Sequence, residues 1–131
     1  MSLFVCHLKK GVTEEAKRNI RREICTGMGE LTGIDARYFA VLFNEYEPIN
    51  FSDQGIRVFV ELCQTEGRDD LFKDQLAELI TGAFCRELGW NPEDVSIMIH
   101  DILRGSMGNE GRIVNRGGAF ADTVKENKTN F

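Results

Sequence analysis

The sequence predicts an α+β fold, a tandem β-α-β repeat that forms a four-stranded mixed sheet with two helices on one face. The first observation is an internal repeat. Shifting the chain by 56 residues, the distance from Gly11 to Gly67, lays Lys17 on Lys73, Ile24 on Ile80, Gly33 on Gly89, Phe43 on Ile99, Glu45 on Asp101 and Gly55 on Gly111. Self-similarity at a fixed period marks two copies of one structural unit. The second is that each copy runs from a short β-rich segment through a capped helical stretch to a glycine and a second β-rich segment. The third is that a right-handed crossover makes the two strands of each copy parallel, which leaves both helices on the same side of the sheet.

The elements follow in order. Leu3 to Leu8 is the opening strand. Thr13 reads as a helix cap, with Glu14 and Glu15 in the first turn where they oppose the helix dipole. Ala16, Ile20, Ile24, Met28 and Leu31 recur at helical spacing and form one apolar stripe, and Gly33 stops the helix. Tyr38 to Tyr46 is rich in aromatic and β-branched residues and reads as a strand. The second copy repeats this with Arg57 to Cys63 as strand, Asp69 as cap, Leu71 to Leu88 as helix and Val95 to Ile102 as the fourth strand. Leu76, Leu79, Ile80, Ala83 and Phe84 line the second helix. From Gly105 onward the chain is glycine-rich, polar and weakly patterned. The expected layout is one domain over 1–118, with halves near 1–55 and 56–111 and a tail over 119–131.

The 131 residues carry a formal charge of −5, which disfavours nucleic acid as a partner. Arg18, Arg21 and Arg22 share a helix face and read as a solvated surface. No apolar run is long enough to span a bilayer and the first residues lack a signal-peptide pattern, so the expected location is the cytoplasm, with no membrane partner. Cys6, Cys25, Cys63 and Cys85 form no CxxC pair and read as buried reduced thiols. His7 and His100 are too few for a metal cluster, so no metal or other cofactor is expected. Leu42, Phe59, Leu62 and Met98 are apolar residues beyond what two helices bury, which predicts association through the uncovered sheet face.

Leu31-Thr32-Gly33, then Val41, Phe43, Glu45 and Asn50, then Gly67-Arg68 before Lys73, and Gly111-Arg112 form an ordered set that resembles the tautomerase superfamily. The likeness is to its longer double-βαβ members, such as the cis-3-chloroacrylic acid dehalogenases, and also to 4-oxalocrotonate tautomerase. It covers residues 3–118. It implies a homotrimer whose sheets face inward, with sites beside the N-termini at subunit contacts. It also implies proton transfer by an N-terminal proline, whose amine in an apolar site works as acid or base near neutral pH. This sequence has no proline there: the register puts Met1 at that place, with Ser2 the terminus if Met1 is trimmed, and the initial residues are ones an expression vector can add.

Carried over position by position, the family's carboxylate-gripping arginine matches Arg68. Its partner arginine falls on Thr65, its helix histidine on Met28, its last-strand tyrosine on Met98 and its water-activating glutamate on Asn109, next to Glu110. The resulting candidates are the amine of Met1 or Ser2 and Glu110 as catalytic groups, and Arg68, Arg112 and Arg116 as binders of a small carboxylate ligand. Met28, Thr65, Met98 and Asn109 are candidates to line the pocket. A primary α-amine has an unperturbed pKa of roughly 7.7 to 8.0 and is a usable base in a dry pocket. Arg68 also fits a surface arginine paired with Asp69 or Asp70, Met28 and Met98 fit apolar filling, and Glu110 fits a solvated loop. Two functions fit the resemblance: keto-enol tautomerase or hydratase/dehalogenase-like proton transfer on a small carboxylate, or a non-catalytic homologue that keeps the trimer and binds a ligand or partner.

Overall fold

The computed structural model describes residues 2–114. Its helices begin where the sequence supplies a cap and end where it supplies glycine. The Thr13 hydroxyl accepts a hydrogen bond from the Ala16 amide at 3.1 Å and opens α1 (Glu14–Thr32). The Asp69 carboxylate does the same for the Phe72 amide at 2.9 Å and opens α2 (Asp70–Leu88). Each cap satisfies an otherwise free first-turn N–H and contributes about 1 kcal/mol. Gly33 and Gly89 close the helices at φ 73° and 68°, a left-handed conformation that a Cβ penalises.

Four strands, β1 (Ser2–Lys9), β2 (Phe39–Tyr46), β3 (Val58–Thr65) and β4 (Val95–Ile102), lie in the order β2-β1-β3-β4. The outer pairs are parallel and the central pair antiparallel, so the sheet is mixed and the fold is the predicted α+β repeat. From Ser2 to Val58, Glu14 to Asp70 and Phe39 to Val95, each second-copy element starts 56 residues after its counterpart. An equivalent ion pair ties helix to strand in each copy, Lys17 to Glu45 at 2.6 Å and Lys73 to Asp101 at 2.8 Å.

Strand alternation decides what is buried. Phe4, Cys6 and Leu8 on β1 and Val58, Val60 and Leu62 on β3 face Ile20, Ile24 and Met28 of α1 and Leu76, Ile80 and Phe84 of α2. Burying one such side chain is worth about 1.5–3 kcal/mol. Leu62 therefore belongs to the core, not to the uncovered face on which it was expected: it shares the parity of Val58 and Val60, and residues on a strand alternate sides. Phe59 faces outward and is half-buried, while Leu42 and Met98 are about half exposed at 51% and 49%. Tyr38, expected in β2, closes a short 3-10 turn (Ala36–Tyr38) instead.

Beside the apolar groups, the outer face carries a polar network across all four strands. Glu61 accepts from Nε2 of His7 at 2.7 Å and of His100 at 3.2 Å, and Nδ1 of His7 meets the Tyr46 hydroxyl at 2.7 Å. The hydrogen bond from His7, and then that from His100, hold the Glu61 carboxyl below the usual carboxylate range. All four cysteines are free, but Cys6 alone is fully buried, which corrects the expectation for Cys25, Cys63 and Cys85. The stretch expected to be weakly patterned contains a hairpin, β5 (Met107–Asn109) paired antiparallel with β6 (Arg112–Val114). No helix among the described residues is long and apolar enough to cross a membrane.

Candidate functional site at the head of the first strand

The parallel register of β1 and β2 sets Ser2 opposite Phe39, and the antiparallel register of β1 and β3 sets Ser2 opposite Gln64. The residues just before Phe39 and just after Ile102 therefore gather round the start of β1. Together they enclose a hollow of about 650 Å³, to which Ser2, Arg37, Tyr38, Cys63, Asn109 and Glu110 contribute. Ser2 is itself 5% exposed. Leu3, Ala40, Ile102 and Met107 give the hollow an apolar wall.

Glu110 and Gly111 form the two-residue turn between β5 and β6, with φ 52° and 79°. Glu110 is the one non-glycine residue at positive φ among the described residues. Such a conformation costs a non-glycine residue about 1–3 kcal/mol and concentrates at sites that need it. It directs the carboxylate to the Tyr38 hydroxyl, which donates at 3.2 Å, and Tyr38 in turn accepts from Nη2 of Arg37 at 3.0 Å. The Arg37 guanidinium also lies 4.9 Å over the Tyr38 ring. Next to them the Asn109 carbonyl oxygen accepts from the Glu110 amide at 3.1 Å, while its amide nitrogen is buried without a hydrogen-bond partner. An unsatisfied buried donor costs about 1–3 kcal/mol, and a ligand oxygen relieves that cost.

Of the residues singled out in the sequence, the fold brings Ser2, Asn109 and Glu110 together. It separates the others. Met28 is a core side chain at 1% exposure, because its helix face points to the sheet. Met98 lies on the outer face opposite Glu61, away from the hollow. Thr65 donates its hydroxyl to the Met107 sulfur at 3.0 Å and fastens β3 to the hairpin without lining the hollow. Arg68 borders a separate depression of about 350 Å³ at the start of α2, with its guanidinium 4.4 Å over the Phe72 ring. Arg112 is exposed on β6. Met1 and Arg116 lie outside the described residues.

Arg37, Tyr38 and Cys63 were not foreseen. The signal available for the first two was the pairing itself: once Ser2 faces Phe39, the residues before Phe39 must stand beside the head of β1. Among the described residues no group of three His, Cys, Asp or Glu could hold a metal ion.

No family model matches the sequence, and no curated protein matches it. Solved structures do. The chain is similar to a member of the cis-3-chloroacrylic acid dehalogenase family at TM-score 0.77 and 18% identity, over 94% of this chain and 90% of that one. It is similar to a wild-type fused 4-OT solved as an asymmetric trimer at TM-score 0.76 and 19% identity, over 85% and 94%. A third likeness, at TM-score 0.76 and 16% identity over 85% and 94%, is to a protein inactivated by 2-oxo-3-pentynoate. The fold is that of the tautomerase superfamily.

Proposed function

We propose that this protein transfers protons on a small carboxylate substrate, as a keto-enol tautomerase or a hydratase/dehalogenase-like enzyme, in the hollow at the head of β1. The observation that carries this reading is a hollow bordered by Arg37, by Glu110 and by Asn109, whose buried amide nitrogen lacks a hydrogen-bond partner. Arg37 would grip the substrate carboxylate, which a guanidinium matches in shape and charge. Asn109 would donate to the carbonyl oxygen that becomes the enol, where negative charge develops. The amine of Met1 or Ser2 would move the proton, with Glu110, oriented by Tyr38, as the second acid–base group. Arg68, Arg112 and Arg116 remain candidates for a second hold on the substrate. The exposed Leu42 and Met98 and the trimeric fused 4-OT support a homotrimer closed through the outer face of the sheet.

A homologue that binds the ligand without turning it over is the second reading. It rests on the absence of proline at the head of β1, where the family places its base. Phenylpyruvate ketonisation, followed by ultraviolet absorbance together with calorimetric binding, separates the two. The enzyme reading expects turnover that falls about tenfold or more in Glu110→Gln and in Arg37→Ala. Binding without turnover favours the second reading, and neither binding nor turnover sinks both. A solution mass of one chain, in place of three times 14.8 kDa, removes the trimer.

A further inference from the structure

We infer that Cys63 is a second reactive group of this hollow, a thiol placed to add to the β-carbon of an unsaturated keto acid bound there, with His100 as its base and Glu61 orienting His100. The inference rests on the reading of the hollow as a site for small keto or unsaturated acids. It adds a nucleophile that this reading does not use.

The four cysteines have different surroundings. Cys6 is in the core, where burial pushes its thiol up to about 12, so it stays protonated. The Cys25 thiol, raised by burial, donates to the Phe39 carbonyl at 3.7 Å. Cys63 is half-buried, lies on the outward-facing half of β3 and lines the hollow. Its sulfur has no hydrogen-bond partner among the described residues.

Two registers bring chemistry to this thiol. Along β1, Leu3 is opposite Cys63, which puts the sulfur one residue from the head of the strand. Along β4, His100 is opposite Cys63, and strand pairing in register turns both side chains to the same face. The Nε2 of His100 is engaged with Glu61 Oε1 at 3.2 Å. With Nε2–H donating to the carboxylate, Nδ1 carries the lone pair and is free to take a proton, the tautomer a thiol's base needs. Asn109, whose amide nitrogen is buried without a hydrogen-bond partner, borders the same hollow.

The step balances without an oxidant or reductant. The thiol proton passes to His100 and the sulfur forms a C–S bond to the β-carbon. One π-bond of the acceptor breaks, and its electron pair moves through the α-carbon onto the carbonyl oxygen, held by Asn109. The proton then returns from His100 to the α-carbon. The net result is addition of S–H across a carbon–carbon multiple bond.

The full-length chain is incubated with 2-oxo-3-pentynoate and analysed by intact mass and peptide mapping, with ketonisation measured on the same sample. The inference expects one added inhibitor mass per chain on the peptide that carries Cys63 and protection by phenylpyruvate. It also expects no labelled peptide in Cys63→Ser, and labelling slowed about tenfold or more in His100→Gln. Because His100→Gln also removes a hydrogen bond to Glu61, its circular dichroism and its labelling by a small neutral thiol reagent are compared with wild type. An unchanged response to the neutral reagent assigns the loss to the positioned base. A label only on the amine at the head of β1 overturns the role of Cys63 while supporting the proposed function. Ketonisation with no label, or equal labelling of Cys25, Cys63 and Cys85, overturns Cys63 alone. Neither labelling nor ketonisation nor binding overturns both.

Discussion

At the end of the sheet where β1 begins, Arg37, Tyr38, Asn109 and Glu110 border a hollow of about 650 Å³. Displaced by 56 residues, the same positions at the other end are Glu93, Asp94, Asp53 and Gln54, which border a hollow of about 980 Å³. A cation has become a carboxylate and an orphan amide another carboxylate. Where Met1 precedes the first strand, Arg57 precedes the third. Arg57 stays with its own copy, 3.7 Å from Asp94 and 5.6 Å from the Trp90 ring centroid. Caps, glycines and helix-to-strand ion pairs persist in both copies, while the charged and amide groups that border the two hollows do not. The repeated backbone and the chemistry of its two ends are thus separable in this molecule, and a few side chains set the charge around each hollow.

In the core the two copies are expected to behave alike. Met28 and Phe84 occupy equivalent, fully buried positions. Phe84→Ala should cost about 3–5 kcal/mol and Met28→Ala about 2–5, both read from urea denaturation. A near-neutral Met28→Ala would mean that α1 is not packed as described. The ends, by contrast, should behave differently. Arg37→Glu should weaken phenylpyruvate binding about 10- to 100-fold, the worth of a charged hydrogen bond, whereas the matching Glu93→Arg should leave it within about twofold. Equal losses from both changes, measured by calorimetry, would break the assignment of the site to one end.

The smallest effect concerns the equivalent ion pairs. The hydrogen bond from Lys73 holds the Asp101 carboxyl below its ordinary value. A carboxyl that is more acidic in the folded chain adds stability above its unfolded pKa and loses it as pH falls through and below about 4. Lys73, raised by Asp101, adds stability that is lost as pH rises beyond about 10.4. Asp101→Asn should flatten both slopes of thermal stability against pH. Unchanged slopes would show the pair to be solvated.

Much of the fold was legible because its signals are local. Thr13, Asp69, Gly33 and Gly89 act within one helical turn, and the repeat announced the second copy from the first. Leu62 was misassigned because it was judged by hydrophobicity and not by its parity with Val58 and Val60. The site was harder to read. Met28 and Thr65 were placed by alignment to a family pattern, which carries position along the chain but not the direction of a side chain. Arg37, Tyr38 and Cys63 come to border one hollow with Glu110 only through strand registers, and Tyr38 and Glu110 are 72 residues apart. Glu110 stood in a stretch that looked patternless, although Glu110-Gly111 is a fitting two-residue turn.

The antiparallel junction of β1 with β3 has a genetic consequence. It sets the start of each copy's opening strand beside the end of the other's, so residues from both halves of the chain border each of the two hollows. Once two such halves are read as one polypeptide, a change in one of them alters the two ends unequally. One end can keep an inherited task while the other drifts or acquires a new one, a freedom that two identical separate subunits do not have.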